Sequence, residues 1–460
     1  MNKKDWFDGA VAVTPEQMGE AREMRNARQQ QLLTEYCAPL LSFKLNIPGA
    51  VKTYPLAERA FEEGAGAIVR QLERSHIAVV HHEIAAKETG HEAFWVVDSC
   101  AESAKIQTME LEDGHPIGRL FDIDVFLPSG AAVSGAGLGR GERSCMICGA
   151  PVWACARNRT HSDTELAWHV AEQISRYFSE AHVEKVVNAA MRALLFEVSV
   201  TPKPGLVDRA NSGAHTDMDF FSFMSSTSAL TAYFRSMVLS GLSFVGPCSE
   251  LLPHLRYLGK EAEHTMLAVT QGTNTHKGLI YSMGIFCAAA GYLCDAFHDV
   301  TPDSFLRACG EIATGVIDEL AQAVRSPEAA SNGETAYQAH GITGVRGEAA
   351  AGFPGVLYYG YPALKKTMAA GLSFNDAGLM ALLHLMAHVD DTNIIHRAGF
   401  AALQGVKEAV SSFLQCAPSP EAVMEFMENM DTLFCKSKIS PGGSADLLAL
   451  SFMLFFLFDG

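Results

Sequence analysis

One loop carries more chemically active side chains than an ordinary surface loop does. The stretch VTPKPGLVDRANSGAHTDMDF, residues 200–220, breaks regular structure with two prolines and two glycines. Such residues fix the chain in turns, so this loop can hold charged groups in defined positions. Cations beside carboxylates and a histidine can bind an anionic ligand and transfer protons. The candidate residues are Lys203, Asp208, His215, Asp217 and Asp219.

Two further polar segments of the second half carry similar groups. TQGTNTHKGLI places Asn274, His276 and Lys277 at a predicted helix start, with Asn274 or Thr275 as the cap, and a helix N-terminus with a lysine suits an anion. GITGVRGEAAAGFPG places Arg346 and Glu348 in a predicted glycine-rich turn, where the backbone can approach a ligand closely.

The last two segments place acids among apolar residues. HVDDTNIIHRAG carries Asp390, Asp391 and Asn393 inside a predicted helix, and charges buried there need a partner or a metal. KSKISPGGSADLLAL predicts a Pro-Gly-Gly turn with Ser444 as N-cap and Asp446 in the first helical turn, although a capped helix alone would explain it. A helical bundle that directs all five segments to one end would form a pocket for Mg²⁺ and a polyphosphate.

The first half contains a pair of acids two residues apart. FDIDVF predicts a strand on which Asp122 and Asp124 share one face, while Ile123 and Val125 point into a core. Adjacent carboxylates repel unless a divalent cation lies between them. The alternative is an exposed strand face with two solvated acids. The pattern is typical of nucleotidyltransferase-like domains, but of the Gly-Ser that usually precedes their helix only Ser99 is present.

The segment GRGERSCMICGAPVWACARNRTHS combines basic and metal-binding residues. Four arginines within twenty residues of an acidic protein suggest a phosphate-rich ligand, with solvated surface charge as the alternative: Arg140, Arg143, Arg157 and Arg159. Three cysteines and a histidine could bind zinc, although reduced thiols are the favoured interpretation: Cys145, Cys148, Cys155 and His161.

The chain has two parts with different sequence patterns, and their helices and strands must position the candidate residues. In the first part, a hairpin is predicted for HIAVVHHEIAA and HEAFWVVDS. Helices are predicted for EQMGEAREMRNARQQQLLTEY and AESAKIQTMELED, so residues 1–175 are predicted to form an α+β domain. From about Thr164 onward, apolar residues recur at three- and four-residue steps, so residues 176–460 are predicted to form a larger, all-α helical domain. We place the boundary near a helix that bridges the two halves.

The composition bounds the function. The chain has 460 residues, 48% of them hydrophobic, and a formal charge of -17, which argues against non-specific binding to nucleic acid or an anionic membrane. No signal peptide is visible, and the apolar run Leu447 to Phe458 is too short to span a bilayer and predicts a buried helix. Eleven scattered cysteines fit a reducing compartment. We expect a soluble cytoplasmic protein.

Three first-half segments, NIPGAVK, GRLFDIDVF and RSCMICGAPVWACARNRTHS, together resemble the apo-citrate lyase phosphoribosyl-dephospho-CoA transferase family, also called holo-citrate lyase acyl carrier protein synthase. The resemblance implies transfer of a phosphoribosyl-dephospho-CoA unit to a serine of the apo acyl carrier subunit of citrate lyase, with loss of pyrophosphate. It also implies Mg²⁺ at Asp122 and Asp124. The implied phosphate contacts are Lys44, Lys52 and the four arginines.

The five second-half segments closely resemble the triphosphoribosyl-dephospho-CoA synthase family. The resemblance implies that the ribose 2′-hydroxyl of 3′-dephospho-CoA displaces adenine from ATP. The two halves therefore resemble consecutive enzymes: the second makes the donor that the first consumes.

Cleavage of the N-glycosidic bond of ATP develops positive charge on the ribose, so the site needs carboxylates and a base. We assign Mg²⁺ to Asp217, Asp219, Asp390 and Asp391, and phosphate oxygens to Lys203, Lys277 and Arg346. Glu348 or His215 is the candidate base. The other expected substrate contacts are Asp208, Asn274, His276, Asn393, Gly442, Gly443 and Ser444.

Three alternatives stay open. The recipient could be malonate decarboxylase, which carries the same prosthetic group. The second half could be a Mg²⁺-dependent hydrolase that passes the ribose to water. The protein could also be a zinc-stabilised scaffold that binds the acyl carrier protein without catalysis.

Overall fold

The computed structural model describes residues 6–139, 141, 144–323 and 332–460. The chain forms two compact units, Met1–Glu180 and Ala181–Gly460. Their division falls within one long helix, Asp163–Ser199. The predicted phosphate contacts Arg140 and Arg143 lie outside the described residues.

The first unit contains a four-stranded antiparallel sheet in the order β2-β3-β1-β4. Its strands are β1 (Leu40–Leu45), β2 (Ala78–Ala85), β3 (Glu92–Asp98) and β4 (Phe121–Phe126). Its helices are α1 (Pro15–Tyr36), α2 (Pro55–Arg74), α3 (Ala101–Gly114), α4 (Val152–Asn158) and the start of α5 (Asp163–Ser199). The predicted α+β class, the β2–β3 hairpin and helices α1 and α3 are confirmed.

The sheet has two different faces. One face packs its apolar residues, among them Phe43, Trp95 and Ile123, against helices α2, α3 and α5 in the main core of the unit. Helix α1 packs on the other face through Leu32 and Leu33. Because side chains alternate along a strand, the polar residues of β1 and β4 lie on the α1 face.

The second unit is all-helical in the part that the structure describes. After α5 it continues with α6 (Phe220–Ala229), α7 (Thr231–Ser243), α8 (Leu252–Val269), α9 (Lys277–Tyr292), α10 (Pro302–Ile312), α11 (Val316–Ala323), α12 (Asn332–His340), α13 (Gly344–Ala350), α14 (Tyr361–Ala369), α15 (Phe374–His388), α16 (Thr392–Ala398), α17 (Phe400–Gln415), α18 (Pro420–Ser437) and α19 (Gly442–Phe458). Helix α19 is buried from Leu447 to Leu457 and contacts α9, α14, α15 and α16, as its apolar sequence predicts. No described helix has the length and apolarity needed to cross a membrane.

Three local predictions in this unit are wrong. Arg346 and Glu348 lie in the short helix α13, not in a turn. Asp390 and Asp391 lie at the break between α15 and α16, because Asp391 accepts hydrogen bonds from the amides of Asn393 and Ile394 and so starts a new helix. Helix α19 begins at Gly442, so Ser444 lies inside its first turn and is not the N-cap.

Candidate functional site

One cavity of about 720 Å³ in the second unit collects all five polar segments. It lies where several helices begin or end, which leaves backbone amides and polar side chains available to a ligand. The predicted site residues that line it are Lys203, His215, Asp217, Asn274, His276, Lys277, Glu348, Asp390, Asp391, Asn393, Gly442 and Gly443.

The loop at residues 200–219 is held by carboxylates within its own unit. Asp208 is buried and accepts hydrogen bonds from the amides of Lys203 at 2.8 Å, Ala210 at 2.7 Å and Asn211 at 3.0 Å. Its carboxylate therefore organises the loop and does not line the cavity. The carboxylate of Asp431 also accepts a hydrogen bond from the amide of Gly205 at 2.9 Å.

Lys203 forms a buried ion pair with Glu197 at the wall of the cavity. The side chains of Lys203 and Glu197 are 1% and 6% exposed. Burial raises the pKa of Glu197, although the charge of Lys203 opposes that rise. Sequence reasoning missed Glu197; its signal is a single acid in the apolar run LLFEVSV.

Asp446 also lines the cavity, and like Glu197 it had no predicted role in binding or catalysis. Burial raises its pKa well above the ordinary value, and the charges of Glu197 and Asp391 act in the same direction. Both effects shift this carboxyl group towards its protonated form. Asp446 can therefore serve as a proton donor.

Asp391 joins two helix starts. Its carboxylate accepts from the amide of Asn393 at 2.9 Å, from the amide of Ser444 at 2.7 Å and from the hydroxyl of Ser444 at 3.0 Å. It thereby connects the first turns of α16 and α19. Asp390 is half exposed and forms an ion pair with Lys407 at 2.7 Å.

Two glycines let neighbouring groups approach the backbone of the cavity closely. A Cβ atom added at Gly278 would lie 2.3 Å from an oxygen of Asp446, and one added at Gly442 would lie 2.6 Å from the side-chain nitrogen of Asn393. Contacts this short are repulsive, so the present arrangement of Asp446 and Asn393 requires glycine at both positions.

His276 is a fully buried histidine in the cavity wall. Its Nδ1 lies 2.7 Å from the hydroxyl of Ser226, while its Nε2 is enclosed and has no hydrogen-bond partner among the described residues. Burial lowers its pKa to about 3, and the charge of Lys203 acts in the same direction. The imidazole is therefore neutral, and its Nε2 stays without a polar contact among the described residues.

His215 differs because both of its ring nitrogens have partners. Nδ1 lies 3.2 Å from a guanidinium nitrogen of Arg397, which can only donate, so Nε2 carries the proton and donates to Ser440 at 3.0 Å. Burial lowers the pKa of His215, and the charge of Arg397 lowers it further. This arrangement uses the lone pair that a general base needs.

Glu348 has its carboxylate in the cavity, with one backbone donor among the described residues. The amide of Gly355 donates to it at 2.9 Å. Burial raises its pKa and the charge of Asp390 acts in the same direction, against the opposing hydrogen bond from Gly355. A carboxylate with a raised pKa is the better proton acceptor of the two candidates.

The four carboxylates assigned to Mg²⁺ do not converge. Asp217 and Asp390 are exposed at the cavity, Asp391 is enclosed by its donors, and Asp219 caps helix α6 by accepting from the amide of Ser222 at 2.8 Å. Among the described residues of this unit, no three acidic or histidine ligands come within mutual reach of one ion.

The predicted phosphate-binding cations of the second unit also lie apart from one another. Lys277 forms an exposed ion pair with Glu263 at 3.1 Å, and its amide donates to Asn274 at 3.0 Å. Asn274 therefore supports the start of α9, but the N-cap is His276, so the predicted cap at Asn274 or Thr275 is wrong. Arg346 lies 3.6 Å from Glu334 and is not part of the cavity lining.

In the first unit, the predicted acid pair lies on the α1 face of the sheet. Ile123 and Val125 are buried on the opposite face, as the alternation predicts. Lys44 stands opposite Asp122 across β1 and β4 and forms an ion pair with it. Burial and the charge of Asp122 raise the pKa of Asp124, so the two carboxylates repel each other.

Lys44 also reaches a basic cavity of about 160 Å³ in the first unit. Arg22, Arg25 and Lys52 line the same cavity, and the buried Glu92 accepts from Arg25 at 3.0 Å. Burial lowers the pKa of Lys52, whose ammonium group donates to the carbonyl of Ile47 at 2.6 Å. Sequence reasoning missed Arg22 and Arg25 as site residues.

The other first-half candidates lie together on a separate segment. Arg157 and Arg159 are exposed at the end of α4. The four candidate zinc ligands bring their ligand atoms within 4.8 Å of one another: Cys145, Cys148, Cys155 and His161.

Comparisons with known families match each unit separately. The family described as CitG, ATP:dephospho-CoA triphosphoribosyl transferase, matches residues 183–460. The family described as CitX, apo-citrate lyase phosphoribosyl-dephospho-CoA transferase, matches residues 13–177.

Individual relatives match nearly the whole chain or its second unit. Protein CitXG of Haemophilus influenzae is 33% identical over 97% of this chain and 96% of its own length. Protein CitXG of Leuconostoc mesenteroides subsp. cremoris is 32% identical over 98% of both chains. The 2-(5''-triphosphoribosyl)-3'-dephosphocoenzyme-A synthase of Pectobacterium atrosepticum is 39% identical over 61% of this chain and 92% of its own length.

Proposed function

The chain belongs to the CitXG family, a fusion of the CitX and CitG transferase families, and we propose that it makes the prosthetic group of citrate lyase and then installs it. The observation that carries the first activity is the single cavity that joins five polar segments within the residues of the CitG match.

The first proposed reaction joins 3′-dephospho-CoA to the triphosphoribosyl part of ATP. The 2′-hydroxyl oxygen of 3′-dephospho-CoA bonds to C1′ of the ribose of ATP while the bond from C1′ to N9 of adenine breaks. The hydroxyl proton passes to a base, and adenine leaves with one proton gained. The products are 2′-(5″-triphosphoribosyl)-3′-dephospho-CoA and adenine.

The cavity offers groups for both proton transfers. Glu348 is our candidate base, because its carboxylate is accessible to the cavity and its pKa is raised by burial. Asp446 is our candidate proton donor to the departing adenine, because its surroundings favour the protonated carboxyl group. Two carboxyl groups held in different environments can divide the acid and base roles in this way.

The exposed groups at the cavity suit the triphosphate. Lys277 can contact phosphate oxygens, and the N-terminus of α9 beside it favours anions. Asp217 and Asp390 would hold Mg²⁺, which usually binds one or two carboxylates together with substrate phosphates and neutralises their charge. Asp219 caps α6 outside the cavity lining, and Asp391 is buried among its donors, so neither is our candidate any longer.

The test is to incubate the purified chain with ATP, Mg²⁺ and 3′-dephospho-CoA and to follow adenine and the nucleotide product by chromatography and mass. We expect adenine only when 3′-dephospho-CoA is present, matched by the triphosphoribosyl adduct. Adenine release without 3′-dephospho-CoA would instead identify an N-ribosyl hydrolase. No adenine from a folded sample would contradict the proposal.

The second proposed reaction occurs in the first unit, for which we propose a nucleotidyltransferase-like fold. The hydroxyl oxygen of a serine of the apo acyl carrier subunit bonds to the phosphorus next to the ribose, and the bond from that phosphorus to pyrophosphate breaks. The hydroxyl proton passes to the departing pyrophosphate or to water. Lys44, Lys52, Arg157 and Arg159 would contact the phosphates. The adjacent carboxylates Asp122 and Asp124 suit Mg²⁺, which would neutralise charge on the phosphate under attack.

Replacement of Asp122 or Asp124 by asparagine should abolish carrier modification without affecting adenine release. Loss of the metal-binding charge removes several kcal/mol of stabilisation, which corresponds to a decrease of about two orders of magnitude or more. The measurement is the mass gain of the apo acyl carrier subunit of citrate lyase when the chain acts on the purified adduct.

Asp98→Asn is the matched control, because Asp98 is exposed at the end of β3 in the same sheet. This variant should modify the carrier at the wild-type rate. Wild-type rates for both Asp122→Asn and Asp124→Asn would show that the acid pair is only a solvated strand face. Modification of the malonate decarboxylase carrier in preference to that of citrate lyase would change the recipient but not the chemistry.

A further inference from the structure

Four ligand residues converge within the first unit at a place that the proposed reactions do not use. The sulfur atoms of Cys145, Cys148 and Cys155 and a ring nitrogen of His161 all lie within 4.8 Å of one another. The sulfur atoms of Cys148 and Cys155 are 3.3 Å apart. Tetrahedral zinc with bonds of about 2.3 Å places its sulfur ligands about 3.8 Å apart, so the cluster needs only small adjustments to surround an ion.

The backbone around these residues is arranged to present them together. The amide of Cys145 donates to the carbonyl of Ala150 at 2.6 Å, and the amide of Gly149 donates to the carbonyl of Cys145 at 3.0 Å. Gly149 has a φ of 72°, which closes this turn behind Cys148. The two cysteines of the CxxC pair therefore lie on one tight turn.

The other two ligands come from the next element. Cys155 lies in helix α4, directly after the turn. The amide of Thr160 donates to the carbonyl of Cys155 at 3.1 Å, so the chain folds back at the end of the helix and returns His161 to the cluster.

The segment has almost no apolar core of its own. Among the described residues between 127 and 169, Cys145 alone is buried. Val152 and Trp153 of α4 are 43% and 59% exposed. A turn and helix with so little buried apolar surface cannot be stabilised by packing, and small elements of this kind usually depend on a metal or disulfides.

His161 provides an independent observation. Its Nε2 atom is enclosed and has no hydrogen-bond partner among the described residues. An enclosed polar atom without a partner costs free energy, so hydrogen bonds from Nε2 do not explain the position of this ring.

We propose that Cys145, Cys148, Cys155 and His161 bind one Zn²⁺ ion in a closed structural site. Four protein ligands leave no position for water or substrate, so the ion stabilises the segment and takes no part in chemistry. The site fixes the helix that carries Arg157 and Arg159. This inference stands independently of the two proposed reactions.

The test is metal analysis of the full chain after purification and dialysis against metal-free buffer. We expect about one zinc ion per chain. Titration with a mercurial thiol reagent should release that zinc, and cobalt(II) in its place should give the intense visible bands of a tetrahedral thiolate site. Limited proteolysis should then cut residues 144–162 much faster after zinc removal.

Cys148→Ser and His161→Asn should each lose most of the bound zinc. Cys37→Ser is the matched control and should keep it, because Cys37 is an exposed free cysteine of the same unit outside the cluster. Loss of a ligand residue can also unfold the segment, so the mercurial and cobalt measurements on the wild-type chain decide the matter alone. A zinc-free wild-type chain, or one with a Cys148–Cys155 disulfide, would overturn the proposal.

Discussion

Replacing Glu348 with glutamine should reduce the rate of adenine release by about 10²- to 10⁴-fold, the usual contribution of a general base. Glutamine has nearly the same shape and can still accept the hydrogen bond from Gly355, which measures 2.9 Å in the wild-type chain. The fold should therefore remain intact by circular dichroism. The measurement is adenine release under saturating ATP and 3′-dephospho-CoA.

The pH profile distinguishes a base from a positioning residue. Burial raises the pKa of Glu348, so the active carboxylate form becomes more abundant as pH rises through that raised pKa. The rate of the wild-type chain should increase with pH over this range, and the increase should be absent in Glu348→Gln.

Glu408→Gln is the matched control, because Glu408 is exposed on helix α17 of the same unit. It should keep the wild-type rate and pH profile. A Glu348→Gln chain with an unchanged rate would remove Glu348 from the mechanism.

Replacing Lys203 with methionine should destabilise the second unit by about 3–5 kcal/mol. Lys203 and Glu197 are both buried, so removal of the lysine leaves an uncompensated carboxylate inside the protein. The double variant Glu197→Gln with Lys203→Met removes both charges and should recover a large part of the loss. Hydrogen exchange of peptides from residues 190–210 measures the effect within this unit.

Lys260→Met is the control, because Lys260 is exposed on helix α8. It should leave exchange at residues 190–210 unchanged. If Lys203→Met and the double variant were equally unstable, the buried charge would not be the cause, and the methionine side chain itself would be responsible. If neither were destabilised, the buried pair would contribute nothing measurable.

The spacing of apolar residues along the chain correctly predicted features that depend only on neighbouring residues. The alternation of Asp122, Ile123, Asp124 and Val125 correctly placed the acids and the apolar residues on opposite faces of β4. The five polar segments were also recognisable, because each interrupts an apolar helical pattern, but their convergence on one cavity is visible only in the folded chain. Both inferences needed only the period of a strand or a helix.

Contacts between distant segments were not predictable in the same way. Asp391 and Ser444 are separated by 53 positions, and only the folded chain shows that Asp391 accepts hydrogen bonds from the amide and hydroxyl of Ser444. From the sequence, Asp391 resembled a metal ligand in a helix. The enclosed carboxylate instead satisfies amides at the starts of two helices, which makes it unavailable as an exposed ligand.

The buried partner of Lys203 was missed for a related reason. Glu197 lies in an apolar helical run where composition suggests only core, and nothing local indicates that a lysine six residues later turns back toward it. The basic cavity of the first unit was missed because strand β1 and its pairing with β4 were not predicted, so no position could be given to Lys44 beside Asp122.

The close approaches at Gly278 and Gly442 have a consequence for inherited variation. Every single-nucleotide change that alters a glycine codon and leaves a sense codon introduces a side chain with a Cβ atom, and at these positions that atom would lie 2.3 Å and 2.6 Å from its neighbours. Neither glycine has a group that reacts. A variant at either position would have to displace the carboxylate of Asp446 or the amide of Asn393, so a survey of tolerated alleles would show how far the cavity depends on where those two groups lie.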